Sequence, residues 1–127
     1  MRIACLIIPA AIFAIAVPAS AQSRNWQTIG ERSIEYGIDR DKIELRGNAR
    51  HRQVRICAVR RDFKLLDADV NFANGGEQDI SESRTIRAGT CTSAVDLRGD
   101  RRDITNVKLF YSRFNRGRAP LIRIQAR

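Results

Sequence analysis

Apolar and polar residues alternate with a period of two along several stretches of this chain, and no segment sustains the 3.6-residue spacing of a helix. In "QVRICAVR" the alternation puts Val54, Ile56 and Ala58 on one face and Arg55, Cys57 and Val59 on the other. In "LLDADVNF" it predicts Leu66, Ala68, Val70 and Phe72 inward, with Leu65, Asp67, Asp69 and Asn71 pointing away. "VKLFY" and "LIRIQAR" continue the habit, Ile122, Ile124 and Ala126 opposing Arg123, Gln125 and Arg127. Each run reads as a strand with one buried and one wet face.

Turn residues fall between these runs: Tyr36-Gly37, Arg46-Gly47-Asn48, Asn74-Gly75-Gly76, Ala88-Gly89, Arg98-Gly99-Asp100, and Asn115-Arg116-Gly117 with Pro120 close behind. The pattern predicts about eight strands, near 26–34, 42–46, 53–60, 63–73, 83–87, 92–97, 104–114 and 120–126. With no helix available for crossover connections, it favours an all-β, single-domain antiparallel β-sandwich. A small closed β-barrel is the alternative.

The chain opens with Met1-Arg2, an apolar run from Ile3 to Val17, Pro18 and the small residues Ala19-Ser20-Ala21. This predicts a cleaved signal peptide over residues 1–21 and one exported domain, periplasmic or secreted, over 22–127. The apolar run falls short of the roughly 20 residues a membrane-crossing helix needs, so no transmembrane segment is expected in the mature chain. Cys5 precedes the apolar core, whereas a lipidated cysteine would follow it.

Loss of Cys5 with the leader leaves Cys57 and Cys91, which can pair in one way, and an oxidising compartment favours that disulfide. Closing a loop of about 34 residues is worth roughly 3.5 to 4 kcal/mol in the chain-entropy model, as an upper figure. Two unrelated buried thiols are the alternative.

Charge changes the picture more than length does. The chain carries 23 basic and 14 acidic residues, a net charge of +9, which points to an anionic partner. Arginine outnumbers lysine 20 to 3, a skew that base composition alone can produce, and acids are interspersed, as in "EYGIDRDKIELRG". A solvated mixed-charge surface is therefore the plain alternative. The basic clusters are Arg50, Arg52 and Arg55, then Arg60 and Arg61, then Arg98, Arg101 and Arg102, then Arg113, Arg116 and Arg118, and the candidate interaction residues among them are Arg98, Arg101 and Arg102, with Arg55, Arg60 and Arg61. The partner expected is an anionic envelope component, such as lipid headgroups or another envelope polymer, or a protein. Nucleic acid is not expected: only "KLFYSRF" combines aromatic and cationic residues, and strand alternation must bury one side of it.

Catalytic material is scarce. The single histidine, His51, lies in the polar run "NARHRQ" and reads as a surface residue; there is no G-x-S-x-G, no histidine pair at metal-ligand spacing and no phosphate loop. No catalytic, cofactor-binding or metal-binding residue is predicted. Asp67-Ala68-Asp69-Val70-Asn71 resembles the start of a calcium loop, but Phe72 stands where the motif needs glycine and Gln78 where it needs glutamate. Strand alternation explains the spacing equally well. The leading expectation is a non-enzymatic binding or accessory module. A protease inhibitor presenting Arg116-Gly117-Arg118 is second, and a carboxylate-based hydrolase third, because its acid pair would be set in three dimensions.

Arg98-Gly99-Asp100 has the form of an adhesion tripeptide, but a turn between a strand ending at Leu97 and one beginning near Ile104 accounts for Gly99 and Asp100. Arg102 is then either a binding arginine or a brace for that turn through Asp96 or Asp103.

The order of motifs resembles a family of small exported bacterial proteins known only as a domain of unknown function. The resemblance rests on "W-x-x-I-G" (Trp26 to Gly30), "D-R-D-K-I-E-L" (Asp39 to Leu45), "V-N-F-A-N-G" (Val70 to Gly75), "I-R-A-G" (Ile86 to Gly89) and "D-L-R-G-D-R-R-D-I-T-N-V" (Asp96 to Val107). It implies a compact sandwich in the periplasm or outside the cell and brings no catalytic residues. Within the pattern the pair Gly99 and Arg102 stands out.

Overall fold

The structure is a computed structural model that describes residues 26–45, 50–80, 83–99, 101–114 and 116–127. The expected leader and its cleavage position lie outside these residues, as do Asp100, Asn115 and the Arg46-Gly47-Asn48 turn. Ten strands are present among the described residues: β1 (Gln27–Ser33), β2 (Arg40–Glu44), β3 (Arg50–His51), β4 (Gln53–Val59), β5 (Phe63–Phe72), β6 (Glu77–Ile80), β7 (Arg84–Ile86), β8 (Val95–Asp96), β9 (Arg102–Tyr111) and β10 (Leu121–Ala126).

They form two antiparallel sheets rather than a closed barrel. Sheet A runs β1-β10-β4-β8, and sheet B runs β2-β9-β5-β6, with β3 on β9 and β7 on β5. Alternation aims Val54, Ile56 and Ala58 of β4 and Ile122 and Ile124 of β10 at Ala68, Val70, Val107 and Leu109 of sheet B, and all are buried. Gly30 lets β1 close over β2: a Cβ there would stand 2.4 Å from Leu45 Cδ2 and 3.0 Å from Ile43 Cγ2. Among the described residues no helix is long and apolar enough to cross a membrane.

Three expectations are corrected. Leu65 is buried and Leu66 is exposed, the reverse of simple alternation, because the β5–β9 register slips between Leu65 and Asp67. That bulge inserts one residue and flips the face of everything before it. The strand expected at 92–97 shrinks to Val95–Asp96; upstream of it Cys91 makes only an isolated bridge to Cys57. His51 is buried, not on the surface, at 7 % exposure, and its burial lowers the imidazole below its usual range, against an opposing pull from Asp103.

The disulfide does form. Cys57 on the outer side of β4 is bonded to Cys91, tying the segment after β7 to sheet A.

Candidate functional site

Strand direction decides where the arginines go. β4 runs from Gln53 at one end of the sandwich to Val59 at the other, about 20 Å at 3.3 Å per residue. Arg98, Arg101 and Arg102 sit at the Gln53 end, beside β8; Arg60 and Arg61 follow Val59 at the opposite end. The six candidate arginines therefore do not share one face. Arg55 lies apart on the outer side of sheet A, where its Nε donates to Gln125 Oε1 at 2.8 Å and its guanidinium covers the Trp26 ring at 4.2 Å. Arg127 packs on the same ring at 4.4 Å, so Trp26 is held by two cations.

At the Gln53 end, residues 73–76 and 97–99 meet around Arg102. Its Nη1 donates to the Arg98 carbonyl and its Nη2 to Asn74 Oδ1, both at 2.8 Å, while its guanidinium lies 3.9 Å from the Phe72 ring centre. Gly99, at φ 86°, supplies both the left-handed turn and the space, since a Cβ there would touch Arg102 at 3.1 Å. Arg102 thus braces two turns through a carbonyl and an asparagine, where Asp96 or Asp103 had been the expected partners. Gln78 completes the joint: its Nε2 donates to the Asp96 carbonyl at 2.9 Å and its Oε1 accepts from the Arg98 N–H at 2.8 Å. A buried amide is satisfied on both sides, and it pins β8 against β6.

An open depression of about 410 Å³ lies beside this joint, lined by Arg50, Ala73, Asn74, Arg101, Arg102 and Asp103. Arg50 arrives through β3, which pairs Arg50 with Asp103 and His51 with Arg102. The guanidiniums of Arg50 and Arg101 make no hydrogen bond or ion pair with another described residue, while Arg102 is fixed. Two cations without a partner among the described residues and one immobile one therefore border the same open space.

At the opposite end, Arg61 lies over the Phe114 ring at 5.3 Å and donates from Nη1 to the carbonyl of Arg116. Tyr36 packs against the same Phe114 ring, tilted at 39° with 4.7 Å between centres, and its hydroxyl donates to the Gly117 carbonyl. Arg61 is consumed in holding this loop. Arg60 is exposed and has a left-handed backbone at φ 73°, rare for a residue with a side chain.

The acids converge too. Asp67 and Asp69 leave the outer face of β5 and meet Asp79 of β6, with carboxylate oxygens within 4.8 Å of one another. Desolvation, then the hydrogen bond with Asp79 and the neighbouring charges, pushes Asp69 up to about 6 and raises Asp67 as well. The three carboxylates stand on the outer face of sheet B, and "KLFYSRF" likewise offers no open aromatic platform: Tyr111 is buried and Phe110 lies under Arg40 at 5.8 Å.

Sequence reading missed Asn74 and Gln78 as site-builders, and it missed Tyr36 and Ile38 as exposed apolar residues, at 56 % and 38 %. A tyrosine and an isoleucine flanking Gly37 in an otherwise polar turn were the available signal for the latter pair.

No curated protein matches the chain. Among solved structures, one from a structural and functional characterization of Pseudomonas aeruginosa AlgX is similar at a TM-score of 0.47 and 15 % identity, over 80 % of this chain and 27 % of that one. The chain therefore spans about a quarter of the length of that structure. The family model for the domain of unknown function DUF2541 matches residues 5–124, nearly the full length with the Arg102 joint and its motifs inside it, and the chain belongs to that family.

Proposed function

We propose that the protein is an exported, non-enzymatic binding module that takes an oxyanion-bearing envelope component, through carboxylate or phosphate groups, at the Arg50–Arg101–Arg102 depression. The carrying observation is that Arg50 and Arg101 are unpaired among the described residues while Arg102, the third cation, is locked in place. A guanidinium without a protein partner can meet an anion without breaking an existing ion pair, and a fixed neighbour reduces the ordering entropy lost on binding. Export is supported by the predicted leader and by a disulfide, which persists in oxidising compartments.

The Arg116–Arg118 loop suits a protease inhibitor poorly. Arg61 and Tyr36 draw the Arg116 and Gly117 carbonyls inward, and Gly117 has a φ of 89°, whereas an inhibitor presents extended backbone to pair with the enzyme.

Titration with a polyuronate oligomer and with inorganic polyphosphate, each across a salt series, tests the proposal. Binding should weaken steeply as salt rises from about 50 to 200 mM, and Arg50→Ala with Arg101→Ala should flatten the log–log slope by about 1.5 to 2. A double variant that binds both polyanions with wild-type affinity and slope would end it.

A further inference from the structure

The end of the sandwich opposite the depression has a different character. Four loops meet there, residues 34–39, 60–62, 87–90 and the described parts of the last loop, 112–114 and 116–120, joined by Tyr36 to Gly117, by Arg61 to Arg116 and by the Ala88 N–H to Asp62 Oδ1 at 2.7 Å. The guanidiniums of Arg60, Arg87, Arg116 and Arg118 make no hydrogen bond or ion pair with a described residue. Of the acids at this end, Asp39 is 3.2 Å from Arg113 and Asp62 accepts from Ala88, while Glu35 beside Tyr36 is exposed.

The apolar residues complete the picture. Tyr36 and Ile38 are two of the three large apolar side chains exposed among the described residues, and the third, Leu66, lies on the bulge of β5 near the same end. Tyr36 is not a mobile ring but is held by Phe114 and Gly117. Arg60 keeps a long cationic side chain on a left-handed backbone where glycine would be at ease.

We propose that this tip docks on an anionic lipid bilayer, with Tyr36 and Ile38 entering the headgroup layer and Arg60, Arg87, Arg116 and Arg118 meeting lipid phosphates. A soluble polyanion would reward the guanidiniums alone, whereas a bilayer interface rewards rigid aromatic and aliphatic tips ringed by arginine. This contact uses residues separate from the Arg50–Arg101–Arg102 depression.

The test is co-flotation of the full mature chain with vesicles of phosphatidylglycerol and phosphatidylcholine, against phosphatidylcholine alone. Binding should require the anionic lipid, and Arg60→Gly with Arg118→Ala should weaken it about thirtyfold. Arg60→Gly also relieves the left-handed backbone, so lost binding would not reflect lost folding. Ile38→Trp, in a chain carrying Trp26→Phe, should be quenched by brominated phosphatidylglycerol. Arg50→Ala with Arg101→Ala, which removes the same number of charges from the other end, should weaken vesicle binding far less than the tip variant does. The proposal is overturned if the chain does not float with anionic vesicles, if the tryptophan at 38 is not quenched, or if the depression variant rather than the tip variant loses binding.

Discussion

Arg102→Ala separates a brace from a binding residue. In the folded protein Arg102 makes two hydrogen bonds at 2.8 Å and one guanidinium–ring contact at 3.9 Å. At a half-exposed position each bond from a charged donor is worth about 1 kcal/mol and the ring contact about 0.5 to 1. The loss is therefore about 2 to 3 kcal/mol. Removing one cation also eases repulsion from Arg98, Arg101 and Arg50, but over exposed, salt-screened separations this returns only tenths of a kcal/mol. The contacts win, and for a domain of roughly 100 residues the midpoint should fall by about 10 to 20 °C. Thermal and urea unfolding followed by circular dichroism would measure it. Arg102→Lys keeps the charge but not the fork, so it should lose most of the same stability. Asn74→Ala combined with Arg102→Ala should show a coupling of about 0.5 to 1.5 kcal/mol. An unchanged midpoint in Arg102→Ala, or a lysine variant as stable as wild type, would refute the bracing role.

Three further outcomes are expected. Asp69 is raised from 3.8 to about 6 in the fold, so the stability its protonated form contributes is complete below about pH 4 and lost as pH rises through about 6. Asp69→Asn should then stabilise the protein at pH 7, by about 1 kcal/mol once solvent screening discounts an unscreened figure of about 3, and His51, lowered by burial, should act oppositely, losing stability as pH falls below about 6.5; urea midpoints across pH 4 to 8 check both. Gly30→Val should cost about 2 kcal/mol or more by thermal melting, because the new side chain meets Leu45 and Ile43 inside the β1–β2 closure. Cys57→Ser with Cys91→Ser should lower stability by up to about 4 kcal/mol, and non-reducing mass spectrometry of wild type should show one intramolecular bond across 34 residues.

The sandwich was legible because its strands bury one face and wet the other: β10 alternates without a break, β4 departs from alternation only at the disulfide-bonded Cys57, and β9 alternates from Val107 to Tyr111 after a slip between Ile104 and Val107. β6 was not legible for a local reason: in "EQDI" the inward position before Ile80 is Gln78, whose amide is buried only because Asp96 and Arg98 supply backbone partners from a distant segment. The bulge at Leu66 was invisible because two consecutive leucines satisfy either register. In the site, Gly99 and Arg102 stood out as a pair, but the reason lies in Asn74 and Phe72, some thirty residues upstream. The motifs that carried the family resemblance are thus parts of joints: Gly30 in the β1–β2 closure, Asn74 and Gly99 around Arg102, and Asp39 against Arg113.

Composition left open whether the arginines reflect base composition or binding, and placement bears on that question. Arginines on the sheet faces find partners: Arg32 meets Asp41 at 2.7 Å, Arg123 meets Glu31 at 2.8 Å, and Arg55 meets Gln125. Strand register makes this possible, since it sets acids and amides opposite them; the Arg123 pair follows directly from Glu31 standing across from it. Among the described residues, the arginines without a side-chain partner are at the two ends: Arg50, Arg98 and Arg101 at one, Arg60, Arg87, Arg116 and Arg118 at the other. Paired charges and the clustered carboxylates of Asp67, Asp69 and Asp79 along the flanks, with unpartnered arginines at the described ends, orient the molecule in the field of an anionic surface or polymer. Steering of that kind acts end-on, so a partner met by diffusion reaches the depression or the lipid-facing tip before it reaches a sheet face. Salt should therefore weaken contact at either end far more than it weakens the fold, whose ion pairs sit mainly on the flanks and contribute little.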